Sequence, residues 1–118
     1  MNKEMLDKIL DNHKLWLSSG GLRGERANLE RANLRGANLI DANLIDANLD
    51  FSCWPLWCGG LNVHIDDRQA TQMLYHLVKN VQYSKNTSKE LKKLCMLKSI
   101  VKKANEFHRV DECGEIEK

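Results

Sequence analysis

The sequence predicts a stacked coil of short turns, closed by helices at both ends. Three observations carry this. Residues 27–51 read ANLERANLRGANLIDANLIDANLDF, so Ala, Asn and Leu recur every five residues, five times without a fault. A period of five belongs to neither an α-helix nor a strand, and self-similarity at a fixed period marks a repeat architecture. Apolar residues before and after this stretch recur instead at helical spacing. The repeat is also too short to bury its own ends, which stacked repeats do with caps.

Within the repeat, Leu29, Leu34, Leu39, Leu44 and Leu49 are expected to point inward. Ala27, Ala32, Ala37, Ala42 and Ala47 are expected inward too, where only a small side chain fits. Asn28, Asn33, Asn38, Asn43 and Asn48 belong at the corners, because a short amide bonds its own backbone there. The last two residues of each unit vary, as an outward face does.

These units resemble the pentapeptide-repeat family, written Ala-(Asn/Asp)-Leu-x-x, over the middle third of the chain. The resemblance implies a mainly β solenoid, a right-handed quadrilateral β-helix with one repeat per side and about two coils. Extending the register sets the inward sides as Leu22, Leu29, Leu34 and Leu39, then Leu44, Leu49, Trp54 and Leu61, with a two-residue bulge in each coil. Stacking then places Asn28 under Asn48, Glu30 under Asp50, and Arg31 under Phe51. Some members of the family mimic duplex DNA and bind type II topoisomerases. This chain departs from them, with a net charge of +2 and few acids on the repeat, whereas such mimicry needs a dense anionic surface.

Four segments follow: 1–19 an N-terminal capping helix, 20–66 the β-helix, 67–108 a C-terminal α-hairpin, and 109–118 an acidic, loosely ordered tail. In the first, Met5, Leu6, Ile9, Leu10, His13, Trp16 and Leu17 share one face, and Ser18 to Gly21 end the helix. Its polar face carries three Lys and three acids, which favours a cap over a membrane helix. At the far end of the repeat, SCWPLWC crowds two Trp, one Pro and two Cys together. Trp54 is expected to plug the coil, and Val63 and Ile65 to form a last short strand. Residues 67–83 read as an amphipathic helix with Ala70, Met73, Leu74, Leu77, Val78 and Val81 on one face, capped by Asp66 or Asp67. Residues 88–108 read as one further helix, opened by a Thr87/Glu90 capping box. Its apolar face holds Leu91, Leu94, Leu97, Val101, Ala104 and His108. Lys89, Lys92, Lys93 and Lys103 share the opposite face.

No apolar run reaches the ~18 residues of a membrane span, and the N-terminus lacks a secretory pattern. The expectation is a cytoplasmic protein with no membrane partner, in which cysteines are reduced thiols or metal ligands. Cys53-x4-Cys58 and His108-x4-Cys113 supply four ligand types for one structural zinc, provided the pairs meet. Four separate packed thiols are the alternative. Cys53 or Cys58 with His64 and Asp66 or Asp67 has the composition of a thiol nucleophile and base, yet no catalytic motif accompanies it. The chain therefore reads as a non-enzyme.

The leading functional reading is an interaction module that presents a rigid surface to another protein, as a monomer or a homodimer. Its candidate contacts are the acidic edge Glu30, Asp41, Asp46 and Asp50, and the outward Ile40, Ile45 and Phe51. HKLWL and SCWPLWC resemble segments of small bacterial and phage proteins, which implies a prophage-encoded inhibitor of a host enzyme or defence system. The alternatives are nucleic-acid binding through Lys92, Lys93 and Lys103, since residues 67–118 hold eleven Lys or Arg against seven acids, and DNA-mimic binding to a type II topoisomerase, which the family resemblance implies.

Overall fold

The structure, a computed structural model, describes residues 1–117. Lys118, the last residue of the predicted tail, lies outside them. The chain divides into two compact units, Met1–Asp66 and Asp67–Lys118. Helices are α1 (Lys3–Ser18), α2 (Asp67–Tyr83), α3 (Lys89–Cys95), α4 (Lys98–Ala104) and α5 (Val110–Cys113), with one 3₁₀ turn at Cys58–Gly60.

In the first unit the five-residue repeat is a run of corners. The Asn side chain of each repeat accepts the N–H two residues on: Asn28 from Glu30, Asn33 from Arg35, Asn38 from Ile40, Asn43 from Ile45 and Asn48 from Asp50, at 2.9–3.1 Å. Each Leu carbonyl then accepts the N–H three residues on, beginning with Ala32 to Leu29 at 3.0 Å. The second residue after each Leu is left-handed: Arg31, Gly36, Asp41, Asp46 and Phe51 have φ between 61° and 75°. This is the backbone of a type II turn, used once per repeat.

The corners stack. Leu29 N–H donates to the Asn48 carbonyl at 2.8 Å and Asn48 N–H to that of Ala27 at 3.2 Å. The same exchange joins Leu34 with Cys53, and Leu44 with His64. Leu29, Leu34, Leu39 and Leu44 are fully buried between these levels, and Leu49 nearly so. Burying each Leu contributes about 2 kcal/mol.

The expected class, a mainly β solenoid built as a quadrilateral β-helix, is overturned. Among the described residues there is no strand and no sheet, and most regular structure is helical. The levels meet only as isolated parallel bridges, Asn28 with Asn48, Asn33 with Cys53 and Asn43 with His64. The reason is local. Turn geometry consumes most of each five-residue unit, which leaves too few extended residues for a ladder. The short last strand at Val63 and Ile65 reduces likewise to the His64 bridge.

The extended register is corrected as well. Leu22 and Leu61, expected inward, are 89% and 59% exposed. The Leu39 N–H meets the Gly59 carbonyl at 2.7 Å and Asn43 pairs with His64. This alignment sets Gly60, rather than Leu61, beside Leu39, and the half-buried Ile65 beside Leu44. Trp54 is half-buried and Pro55 is fully buried. The Trp57 indole donates to the Ala37 carbonyl at 3.0 Å.

Helix α1 begins at Asn2, whose side chain accepts the Met5 N–H at 2.8 Å. The helix lies against the repeat through one fully buried side chain, His13. The Ala27 N–H donates to Nδ1 at 2.9 Å, so Nδ1 is the acceptor and Nε2 carries the proton. Nε2 donates to the Ile45 carbonyl at 2.7 Å. Trp16 stacks on the ring, with centroids 5.7 Å apart. His13 thus satisfies two backbone groups of two different corners. The other residues of the predicted apolar face are less covered: Leu6 is buried, while Met5 is exposed.

The second unit keeps α2 as predicted but rotates its buried face. Tyr75, Val78 and Val81 are buried, and Leu77 is 58% exposed. The expected helix over 88–108 is two helices, so the α-hairpin is replaced by a three-helix arrangement with α5 appended. Leu97, with φ −58° and ψ 133°, breaks the helix. Cys95 and Val101 are six residues apart and would sit about 120° apart on one straight helix. The break lets both join one core with Tyr75, Val78, Ala104 and Phe107. Leu91, Leu94 and Leu97, predicted as core, are exposed. Ser88, not Thr87, caps α3 by accepting the Leu91 N–H at 3.1 Å. The Thr87 hydroxyl instead donates to the Val81 carbonyl at 2.7 Å. The described part of the tail is docked rather than loose, because Ile116 is buried in the same core.

Two substitutions test the first unit. Gly36 has φ +75° and open space around a built Cβ, so Gly36→Ala is expected to cost about 1 kcal/mol by backbone strain alone. His13→Phe keeps the ring packing but strands the Ala27 N–H and the Ile45 carbonyl. Denaturant unfolding is expected to show a loss of about 2–4 kcal/mol; a loss below about 1 kcal/mol contradicts the bridging role.

Candidate functional site

The repeat places its variable side chains outward in columns. Arg31 and Phe51 share one column, with the guanidinium carbon 4.6 Å from the ring centroid. Such a cation–π contact between exposed groups contributes about 0.5–1 kcal/mol. Phe51 remains 52% exposed, and Ile40 and Ile45 are 46% and 37% exposed on neighbouring corners. In another column the Arg26 guanidinium donates to the Asp46 carbonyl at 2.5 Å, and the Asp46 N–H donates to the Asp66 carboxylate at 2.7 Å.

The predicted acidic edge is divided by this geometry. Asp41 and Asp46 are exposed at left-handed corners. Glu30 is exposed, while Asp50 is buried and its N–H is held by Asn48. The Glu30 and Asp50 carboxylates therefore do not form one outward acidic pair.

The predicted lysine face is also taken apart. The Lys92 ammonium donates to the carbonyls of Val81, Gln82 and Ser84 at 2.9, 3.2 and 2.5 Å. It thereby caps the C-terminus of α2, where free carbonyls and the helix dipole favour a cation. Lys103 pairs with Asp67 at 2.7 Å and with Glu106 at 3.6 Å. The hydrogen bond to Asp67, more than any other contact, raises its pKa above the usual 10.5. Lys93 is exposed. Two of the three lysines assigned to nucleic acid thus have partners within the second unit. Sequence spacing gave no sign of this, because the carbonyls that Lys92 meets lie 8 to 11 residues back, in the last turn of α2 and just beyond it.

The four predicted zinc ligands fall in different units. Cys53 bridges to Asn33 through its backbone and Cys58 opens the 3₁₀ turn. His108 lies beside Phe107, ring centroids 5.0 Å apart, and Cys113 ends α5. Cys53, Cys58 and Cys113 are exposed free thiols and Cys95 is buried. Among the described residues no group of three or more His, Cys, Asp or Glu side chains is arranged to hold a metal ion. His64 bonds through its backbone to Ala42 and Leu44.

A surface of outward side chains on tandem five-residue corners defines the chain as a repeat protein. Residues 25–53 match the family model described as Pentapeptide repeats (8 copies). Proteins of this family are in general interaction modules without catalytic activity. No curated protein and no solved structure matches the chain. No helix among the described residues is long and apolar enough to cross a membrane.

The lysine assignments separate in one experiment. Lys92→Met is expected to lower the stability of the second unit by about 1–2 kcal/mol, since three carbonyls lose a charged donor. Lys93→Met is expected to change it by less than about 0.5 kcal/mol. Equal effects in thermal melts contradict the capping role.

Proposed function

We propose that the repeat is a docking surface for another protein, with Phe51, Ile40 and Ile45 on successive corners as its apolar contacts and Arg31 beside Phe51. One observation carries this reading: three large apolar side chains stand in solvent on a backbone whose corners are pinned by side-chain amides. Such a surface loses little conformational entropy on binding. An aromatic residue paired with Arg is also the composition of interface hot spots. A finer version, resting on the resemblance of HKLWL and SCWPLWC to bacterial and phage proteins, is an inhibitor that occupies a host enzyme or defence protein.

The test uses the double variant Ile45→Glu and Phe51→Glu. Both side chains point outward, so the melting temperature is expected to hold. Affinity for a protein partner retained by the unaltered chain is expected to fall at least about tenfold. Undiminished affinity with an intact fold overturns the assignment of this face.

A further inference from the structure

The second unit holds its own C-terminal segment the way a receptor holds a peptide. Asn105, at the end of α4, presents its whole side-chain amide to the backbone of Ile116. The Ile116 N–H donates to Oδ1 at 2.7 Å, and Nδ2 donates to the Ile116 carbonyl at 3.0 Å. The amide thereby reproduces the hydrogen bonds of a neighbouring strand. Two residues earlier, the Tyr75 hydroxyl donates to the Gly114 carbonyl. Burial first, and the Cys113 thiol second, raise the Tyr75 pKa above its ordinary 10.0, which keeps the phenol a donor. The Ile116 side chain is 4% exposed and shares the core of Tyr75, Val78, Val101, Ala104 and Phe107. Glu115 and Glu117 on either side are exposed.

These contacts divide as peptide recognition divides. Main-chain hydrogen bonds give affinity to any extended segment, and a pocket for one side chain gives selectivity. Charge adds a further preference. Residues 67–108 hold nine Lys or Arg against three acids, a net of +6, whereas 109–118 hold two against four, a net of −2. The segment turns into the groove at Gly114, with φ +97° and nothing within 4 Å of a built Cβ.

We propose that this groove is a recognition site for an extended acidic peptide of a partner protein with one aliphatic anchor. Residues 114–117 occupy it in the resting chain as a built-in ligand. Tyr75 and Asn105 read the peptide backbone, the core pocket reads the anchor, and the net positive charge of residues 67–108 favours acidic flanks. Binding of the partner requires release of the chain's own segment, so the affinity of the resting chain is reduced by self-occupancy.

The probe is a fluorescein-labelled peptide of residues 111–118, titrated against the full-length chain. Ile116→Ala removes the internal anchor and is expected to bind the peptide at least tenfold tighter than the unaltered chain. Adding Asn105→Ala is expected to abolish binding, as is replacing the isoleucine of the peptide by alanine. A measurement without variants keeps the test open if Ile116→Ala unfolds. In the unaltered chain, excess peptide is expected to move the Ile116 amide resonance to its unstructured position. No binding to any form, equal binding to the unaltered and Ile116→Ala chains, or indifference to Asn105→Ala each overturns the proposal. So does a dimer of the unaltered chain that Ile116→Ala dissolves, because the occupant would then be the tail of a second copy.

Discussion

The first unit depends on one small interaction repeated five times, the asparagine amide that accepts the N–H two residues on. It commits the chain to a corner, and the corner forces the next residue into the left-handed region. A left-handed backbone costs a non-glycine residue about 1–2 kcal/mol, and four of the five corners carry Arg, Asp or Phe there. The cost is met because each corner also sends a Leu into the interior and opens backbone groups to the level above. Asparagine, left-handed corner and buried leucine therefore form one unit of cooperation. The same economy leaves no length for strands, which is why stacked levels here meet at single bridges.

His13 solves a different problem. An end level of stacked corners exposes backbone donors and acceptors, of which the backbone of α1 meets one, the Glu25 N–H at the Asn12 carbonyl. An imidazole offers a donor and an acceptor on one rigid ring, so a single side chain closes one group on each of two corners. Its position on the apolar face of α1 is consistent with both packing and bonding. Only the placement of the Ala27 N–H and the Ile45 carbonyl distinguishes them.

In the second unit, polar side chains perform work that the hydrophobic pattern does not reveal. Lys92 ends α2, Thr87 steers the loop that follows, and Asn105 and Tyr75 seat the tail. Each acts on a backbone group distant in sequence. A charged stripe at helical spacing therefore divided into structural and solvent-facing members, and an acidic tail became part of a core through one isoleucine. The proposed interaction surface and the proposed tail groove lie on separate units, so the two proposals call for different partner chemistry: apolar with an aromatic for the first, extended and acidic for the second.

The period of five, the inward leucines, the asparagine corners and the extents of α1 and α2 were legible in the chain alone. All of them arise from contacts within about five residues, or from a single periodicity. What tertiary structure decided was the class of the repeat unit, the break at Leu97, the exposure of Leu22 and Leu61, and the fate of each Lys and Cys. Those outcomes depend on where distant backbone groups arrive. The alignment of Gly59 with Leu39 moves Leu61 outward, and the need to bury Cys95 with Val101 breaks a helix whose local sequence would continue it. Local chemistry determined the corners, while the packing of residues far apart in sequence determined which side chains were left to bind anything else.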